Sequence, residues 1–340
     1  LHKEYRRQRQ MCIRDSSSNT STGNALRHKH NLKENIREAN HFYNIGPVTQ
    51  NNLNNVKTSI PKHVLTVLTG VAGSGKSTLV KAGFENNDHT IFIDQKAVQG
   101  SNRSNLLTYL GVFDSVRSFF SKETGLNKAM FSYNSKGACP NCGGKGYIKT
   151  ELAFMGDFSQ TCEVCHGKRY KQEVLDATID GYSIADVLDL TVDEGIIFFD
   201  KKNDIKSKLQ SVSKTGLNYM SLGQPLSTLS GGEIQRVKLA QHLDEEIKNS
   251  IFIFDEPTTG LHESDIPILM ECFDDLIDQN NTVILIEHNL SMMCEADWII
   301  DVGPGPGLDG GKVQFSGTPK NFIDSSETLT SKHLKRYINQ

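Results

Sequence analysis

A short glycine-rich segment carries the clearest chemical signal in the sequence. Residues 70–77 read GVAGSGKS and follow a β-branched, apolar run, which fits the pattern GxxxxGK[ST]. The glycines let backbone N–H groups turn inward around phosphates, and the start of the next helix adds partial positive charge. Lys76 is expected to reach the β- and γ-phosphates of ATP, and Ser77 is expected to ligate Mg²⁺. The predicted phosphate contacts are Gly70, Gly73, Ser74, Gly75, Lys76, Ser77 and Thr78.

An acidic pair follows a second apolar run. Residues 251–254 read IFIF, and Asp255 and Glu256 come directly after them. At the tip of a buried strand, Asp255 is predicted to hold Mg²⁺ and to contribute to the ATP site, and Glu256 is predicted to polarise the attacking water. A solvated strand end is the alternative, because charged side chains are mostly exposed. The loop PTTGLH at 257–262 favours the catalytic interpretation.

Two further polar residues come at the ends of short apolar runs. Gln95 follows residues 90–94 and fits a glutamine that senses Mg²⁺ and water. His288 follows residues 283–287 and fits a histidine that contacts the γ-phosphate. A lone glutamine is a weak signal, and a lone histidine is more often structural than catalytic. The predicted catalytic set is Glu256, His288 and Gln95.

The segment LSGGE at 229–233 stands before a helix predicted for residues 233–243. Its Ser230, Gly231 and Gly232 are expected to present backbone N–H groups to a γ-phosphate. In ATP-binding-cassette proteins that phosphate belongs to the opposing ATPase unit. The sequence therefore predicts a second ATPase half as a partner, either the N-terminal half of a longer chain or a second copy in a homodimer.

Four of the seven cysteines form two CxxC pairs. This spacing is typical of structural zinc sites, and four thiolates close a tetrahedral site that leaves no catalytic position open. A redox CxxC would need a thioredoxin-like context. His166 is an alternative ligand beside the second pair. The predicted Zn²⁺ ligands are Cys139, Cys142, Cys162 and Cys165.

The cysteine region holds more basic than acidic residues between 136 and 171, including the run KRYK at 168–171. Basic and aromatic residues on a rigid knuckle can contact nucleic-acid phosphates. A charged face that is merely solvated explains the same composition. Both interpretations stay open at this point.

Composition limits the classes of protein. The formal net charge is −3, so any DNA contact must be local. No apolar run reaches the roughly 18 residues of a membrane helix, so we expect no membrane partner and no transporter that carries its own membrane domain. Paired CxxC motifs with an odd total of cysteines favour metal binding in a reducing compartment, and we expect the cytoplasm.

The predicted fold class is α/β, with a discontinuous P-loop ATPase core of the ABC type and an inserted zinc-binding signature domain. In chain order we predict an N-terminal stretch at 1–45, the first part of the ATP-binding core at 46–100, the signature domain at 101–220 with its zinc module at 139–165, the signature helix and second part of the core at 221–324, and a C-terminal tail at 325–340. Helical spacing predicts a short amphipathic helix through Leu32, Ile36 and Ala39, and one helical stretch over 183–199.

Residues 8–16 read QRQMCIRDS, which resembles the translation of a transposon-end adapter used in sequencing libraries. We expect residues 1–16 to be foreign to the natural protein, as processing segments and scars are. Residues 16–24 are rich in Ser, Thr and Asn and are predicted to be a linker. The natural protein is then expected to extend upstream, with this chain as its C-terminal part.

Taken together, these motifs resemble the UvrA family, the damage-recognition ATPases of bacterial nucleotide excision repair. The resemblance is strongest to the second, C-terminal ATPase half and covers about residues 50–320. The stretches that carry it are NNLNNV at 51–56, GVFD at 111–114, CEVCHGKRY at 162–170, IADVLD at 184–189, LGQP at 222–225, LSGGEIQRVKLA at 229–240, EHN at 287–289 and DVGP at 301–304.

The resemblance implies an ATPase without nuclease activity of its own, with ATP, Mg²⁺ and Zn²⁺ as cofactors and double-stranded DNA as a partner. Such a clamp would recognise deformed backbone rather than sequence. The segment at 81–95 is shorter than in typical repair UvrA, and the UvrB-docking insertion is absent here, so UvrB stays an open partner. The alternative is a UvrA-like ATPase that gives resistance to DNA-binding antibiotics. A transporter's nucleotide-binding subunit and a zinc adaptor without hydrolysis are the remaining hypotheses.

Overall fold

The computed structural model describes residues 31–97, 104–152, 156–245 and 247–339. The described residues divide into two compact units, one formed by those up to 95 together with those from 245 onward, and the other by those between 96 and 244. The adapter-like residues and the linker predicted from the sequence lie outside the described residues. In the described part of the chain, no helix has the length and apolar character needed to cross a membrane.

The elements follow one another in chain order. The strands are β1 (Phe42–Gln50), β2 (Leu53–Pro61), β3 (Leu65–Gly70), β4 (Thr90–Ile93), β5 (Tyr147–Leu152), β6 (Gly156–Thr161), β7 (Thr178–Ile179), β8 (Tyr182–Ser183), β9 (Ile251–Asp255), β10 (Thr282–Ile286), β11 (Trp298–Gly303) and β12 (Lys312–Gly317). The helices are α1 (Lys76–Phe84), α2 (Leu106–Tyr109), α3 (Phe113–Thr124), α4 (Gln172–Leu175), α5 (Ile184–Asp189), α6 (Val192–Phe198), α7 (Asn203–Lys214), α8 (Gly231–Leu243), α9 (Ile266–Asp278), α10 (Leu290–Glu295), α11 (Pro319–Ser325) and α12 (Leu329–Ile338).

The first unit is built on a sheet with the strand order β12-β11-β3-β10-β9-β4. All neighbours in it pair in parallel except β12, which pairs antiparallel with β11. Every residue of β3 and β10 is buried. Continuous apolar runs of this kind are typical of parallel strands covered on both faces. Because β3, β9 and β10 run in the same direction, the residues that follow them meet at one edge of the sheet.

A separate antiparallel hairpin, β1–β2, stands beside this sheet and contacts α1. Its turn lies at Asn51 and Asn52, and Asn51 has a φ of 54°, in the left-handed region that asparagine tolerates well. In the sequence, turn residues and Val56 within 51–61 predict a hairpin, and the structure confirms one whose first strand starts earlier, at Phe42.

The prediction of a helix through Leu32, Ile36 and Ala39 is wrong. Residues 31–40 contain no helix, because their hydrogen bonds go to the core: the backbone N–H of Lys33 donates to Cys294 at 2.9 Å, and that of Arg37 donates to Asp297 at 3.0 Å. The predicted tail at 325–340 instead contains α12, whose Leu334 is fully buried.

The second unit is mainly helical around one apolar core. The helical stretch predicted over 183–199 is two helices, since α5 and α6 each begin with their own capping box, at Ser183 and at Thr191. Both caps satisfy N–H groups that a continuous helix would bond internally. The signature helix α8 also belongs to this unit, which differs from the predicted division that grouped it with the core.

Candidate functional site

The phosphate loop lies between the end of β3 and the start of α1. Gly70, Gly73 and Gly75 have φ values of 131°, 74° and 102°, a region that glycine adopts without strain. A Cβ on Gly70 would also lie 1.9 Å from the carbonyl oxygen of Val302 on β11. Backbone conformation therefore favours glycine at all three positions, and close packing adds a further constraint at Gly70.

Lys76 is almost wholly buried, and its Nζ donates to the carbonyls of Gly70 and Val71 at 3.0 Å each. Burial lowers the pKa of this lysine, while the charges of Glu256 and Asp301 act in the opposite direction. The ammonium group therefore lies against its own loop, close to acidic groups of the same unit. Ser74 Oγ is also buried, and it has no hydrogen-bond partner among the described residues.

The acidic pair stands at the end of β9, on the same sheet edge as the phosphate loop. Asp255 is half-buried, and burial raises the pKa of its carboxyl. Glu256 has a φ of 50°, and its carboxylate lies 3.9 Å from His288 Nε2 and 3.3 Å from Thr259 Oγ1. The structure thus brings Glu256 and His288 together, and their catalytic roles stay predictions.

Gln95, which follows β4, also reaches the acidic pair. Its Nε2 donates to the backbone carbonyl of Glu256 at 3.1 Å. The side chain of His288 is half-exposed, and burial lowers the pKa of its imidazole, helped by the positive charge of Lys76. At neutral pH the imidazole is therefore neutral and can accept a hydrogen bond at one nitrogen while donating at the other.

Glu287 is a functional residue whose role the sequence did not indicate. Its carboxylate is buried and accepts from the backbone N–H and the hydroxyl of Thr258, at 2.9 and 2.6 Å. The other oxygen accepts from the N–H groups of His288 and Asn289, at 2.8 and 3.1 Å. One carboxylate thus fixes the loop after Glu256 and the segment that carries His288. The available signals were its position beside a candidate catalytic histidine and its place in the stretch EHN at 287–289.

The hairpin tip is a second feature that the chemistry of the motifs did not indicate. Asn51 Nδ2 donates to Thr78 Oγ1 at 3.2 Å, and Asn52 Nδ2 donates to the carbonyl of Gly73 at 3.3 Å. Both asparagines therefore contact the phosphate loop or the first turn of α1. The stretch NNLNNV carries part of the family resemblance, but the sequence assigned these asparagines no contact with the phosphate loop.

The signature residues open α8 in the second unit. Ser230 Oγ accepts from the N–H of Glu233 at 3.3 Å, and the Glu233 carboxylate accepts from the N–H and hydroxyl of Ser230 at 2.8 Å each. This capping box satisfies the backbone N–H groups of Ser230 and Glu233 at the start of α8. The N–H groups of Gly231 and Gly232 lie in that same turn, where a helix presents partial positive charge.

The four cysteines of the second unit come together in a buried cluster. Their sulfur atoms all lie within 4.8 Å of one another, with Cys139 and Cys162 at 4.0 Å and Cys142 and Cys165 at 3.6 Å. A tetrahedral site with Zn–S bonds of about 2.3 Å separates its sulfurs by roughly 3.8 Å. The donor type, number and spacing therefore fit a structural metal.

Backbone and side-chain donors also point at these sulfurs. The N–H of Gly146 donates to Cys142 Sγ at 3.2 Å, and Asn141 Nδ2 donates to Cys162 Sγ at 3.3 Å. The Asn141 hydrogen bond lowers the pKa of Cys162 to about 6, whereas burial raises the pKa of Cys165 to about 12. Such donors favour the thiolate, which is the form that binds metals.

The basic run beside the cysteines is only partly available to a ligand. Lys168 forms an ion pair with Asp186 at 2.8 Å, and the Arg169 guanidinium stacks on the ring of Tyr133. Tyr170 is buried and cannot stack on a base. Among the described residues, the metal-ligand cluster comprises the four cysteines and leaves out His166.

Comparison with known proteins agrees with this site. A family model described as ABC transporter matches residues 53–259, which is more than half of the chain. The fold and the site thus define an ATP-binding-cassette domain, and the chain belongs to that family.

Within that class, the chain is similar to UvrABC system protein A. It is 42% identical to the protein from Clostridium perfringens over 357 residues, covering 95% of this chain and 38% of that protein. It is also 42% identical to the Bacillus subtilis protein, covering 87% and 34% respectively. The crystal structure of UvrA2 from Deinococcus radiodurans superposes with a TM-score of 0.86 at 38% identity, covering 94% of this chain and 42% of that one. The resemblance to the UvrA family is confirmed, although the chain spans well under half of each relative.

Proposed function

We propose that the first unit binds and hydrolyses ATP. The N–H groups of the phosphate loop and Lys76 hold the phosphates, and the orphaned hydroxyl of Ser74 is the kind of buried donor that a phosphate oxygen satisfies. The oxygens of Ser77 and Asp255 are the donor type that Mg²⁺ prefers. The full proposed phosphate-binding set is Gly70, Gly73, Ser74, Gly75, Lys76, Ser77 and Thr78.

Glu256 orients and deprotonates the attacking water in this proposal. Its carboxylate is half-exposed and stands 3.9 Å from the imidazole of His288, which contacts the γ-phosphate. Gln95 adds an amide on the same side of Glu256. Mg²⁺, when bound, neutralises charge on the phosphates. Ser230, Gly231 and Gly232 serve the nucleotide of a second ATPase half, from the same longer protein or from a second copy.

The proposed role of the whole protein is recognition of damaged or distorted duplex DNA in nucleotide excision repair, with this chain as the C-terminal ATPase half. One observation carries it: a buried four-cysteine site, fitted to Zn²⁺, occurs within a chain that belongs to the ABC family and is about 42% identical to UvrABC system protein A. UvrB is a candidate further partner. The proposed compartment is the cytoplasm, because a four-thiolate site requires reduced cysteines.

The test uses the chain carrying Glu256→Gln, which should hold ATP without hydrolysing it. We would titrate this variant against one duplex, either plain or bearing a bulky adduct, at a stated salt concentration of about 100 mM, because such affinities depend steeply on salt. The expected result is tighter binding to the adduct, and only with ATP present. The matched control is Glu271→Gln, an exposed residue of α9, which should still hydrolyse ATP.

Equal affinity for the two duplexes would reject damage recognition by this half. If the variant bound both duplexes equally and displaced an intercalating dye from them, the alternative function, a resistance ATPase, would be favoured. Hydrolysis that survives Glu256→Gln would reject the catalytic assignment.

A further inference from the structure

Three segments that are distant in sequence meet on the outer side of the phosphate loop. The side-chain amide of Asn52, at the β1–β2 turn, donates to the carbonyl of Gly73 at 3.3 Å and to the carbonyl of Gly307 at 3.0 Å. Gly307 in turn donates its own N–H to Gly73 at 3.1 Å, and the N–H of Gly311 donates to the carbonyl of Ser74 at 2.9 Å. Asn52 thus joins the loop to the glycine-rich segment at 303–311.

These bonds fix the orientation of two consecutive peptide groups. In a trans peptide the C=O and N–H vectors point in opposite directions. When outside donors hold the carbonyl of Ser74, the N–H of Gly75 must therefore point the other way, into the loop. The carbonyl of Gly73 is held in the same manner, while the N–H of Ser74 closes a turn onto Val71 at 3.1 Å. The outer bonds thereby set the direction of the inner amides.

The three segments are closely packed where they meet. A Cβ on Gly311, whose φ is 71°, would lie 2.1 Å from the carbonyl oxygen of Asn52. A Cβ on Gly310 would lie 3.0 Å from Ser74 Cα, and one on Gly75 would lie 2.8 Å from Asn52 Oδ1. Asn52 therefore touches both the phosphate loop and the segment at 303–311, and we expect a displacement of Asn52 to displace the loop.

We propose that Asn52 is a positioning residue for nucleotide binding, which holds the phosphate loop in its binding shape through Gly73 and Gly307 before any nucleotide arrives. This inference rests on the proposed ATP site and adds a residue to it. Asn52 acts through the loop and does not itself contact the reacting atoms. Its amide supplies one donor to each of two carbonyls, which is the full capacity of its NH₂ group.

The decisive variant is Asn52→Asp, which keeps the size of the side chain but replaces the donor group with an acceptor facing two carbonyls. The matched control is Asn54→Asp, the same chemical change at an exposed position of β2. We expect Asn52→Asp to raise the dissociation constants of fluorescent ATP and ADP about tenfold, because the loop loses both hydrogen bonds from the amide. At saturating ATP its kcat should stay within about twofold, and Asn54→Asp should change neither quantity.

A second measurement needs no nucleotide. Amide hydrogen exchange over residues 70–77 should be about tenfold faster in Asn52→Asp than in the unchanged chain, and unaltered in Asn54→Asp. Equal exchange in all three proteins would overturn the role of Asn52, as would a drop in kcat without a change in nucleotide affinity. Failure of the unchanged chain to bind ATP would instead reject the proposed function, and the exchange measurement would still decide about Asn52.

Discussion

The phosphate loop and the four-cysteine cluster use similar backbone geometry. The cluster is assembled within one short stretch of sequence, whereas the loop depends on residues far away in the sequence. Both rely on glycines and on N–H groups turned toward a centre, as Gly146 does toward Cys142 Sγ. The cysteine site is contained within residues 139–165, and its strands β5 and β6 pair with each other. The phosphate loop depends on Asn52, which also bonds Gly307, 255 positions further along the chain.

The two sites differ in the source of the free energy that orders them. The cysteine cluster is local, so a bound metal can supply the energy that orders it. The phosphate loop is held by hydrogen bonds and packing from several parts of the first unit. We therefore expect that disrupting one site leaves the other intact, and three measurements test that expectation.

Metal removal should give the largest effect. Chelation, or the change Cys142→Ser, removes a site of about 10–16 kcal/mol apparent binding energy, and residues 136–171 should lose protection from hydrogen exchange. The affinity of the first unit for fluorescent ATP should change less than about twofold. The control is Cys272→Ser on α9, a buried cysteine away from the cluster, in which the bound metal should persist. Loss of ATP binding on chelation would show that the two sites are coupled.

An intermediate effect is expected from Glu287→Gln. The amide keeps one oxygen and replaces the other with an NH₂ group, so either Thr258 or the N–H groups of His288 and Asn289 lose their acceptor, at about 1–3 kcal/mol. We expect kcat to fall about tenfold or more and the urea midpoint to drop, with nucleotide affinity and metal content unchanged. Glu271→Gln serves as the control on the exposed face of α9. A kcat equal to that of the unchanged chain would show that Glu287 does not position the catalytic loop.

The smallest effect concerns the pH dependence of His288. Burial lowers its pKa in the folded protein below the usual value of about 6.5, so the unfolded chain binds the proton more readily. Stability should therefore be lost as pH falls from about 6.5 through the folded pKa, by less than about 1 kcal/mol because solvent screens a half-exposed group. His288→Gln should lack this component when urea midpoints at pH 7.5 and pH 5 are compared. The same pH dependence in both proteins would assign it to other groups.

The sequence predicted the parts of this molecule that depend on neighbouring residues. The apolar runs gave β3, β9 and β10 to within a residue, and the CxxC spacing identified a cluster that closes within one short stretch. It failed where tertiary contacts decide the outcome. Leu32, Ile36 and Ala39 have helical spacing, yet the segment bonds to the core. The roles of Asn52 and Glu287 depend on partners in space, which a single sequence does not reveal.

The proposed roles of Gln95, Glu256 and His288 remain predictions in spite of their favourable placement. Proximity on one edge of a parallel sheet follows from the fold alone. What the structure adds is the set of groups that hold these side chains, and those groups supply the variants for the experiments above.

The bonds of Asn52 have a consequence for synthesis on the ribosome. The hairpin and the phosphate loop are made before the second unit, and Gly307 and Gly311 follow it in the second segment of the first unit. A nascent chain that ends before Pro306 therefore contains residues 70–77 intact but lacks two of the three outside donors that orient them. The proposed nucleotide site therefore acquires all its outside donors only after residue 311 has been made, so we expect shorter nascent chains to bind ATP more weakly.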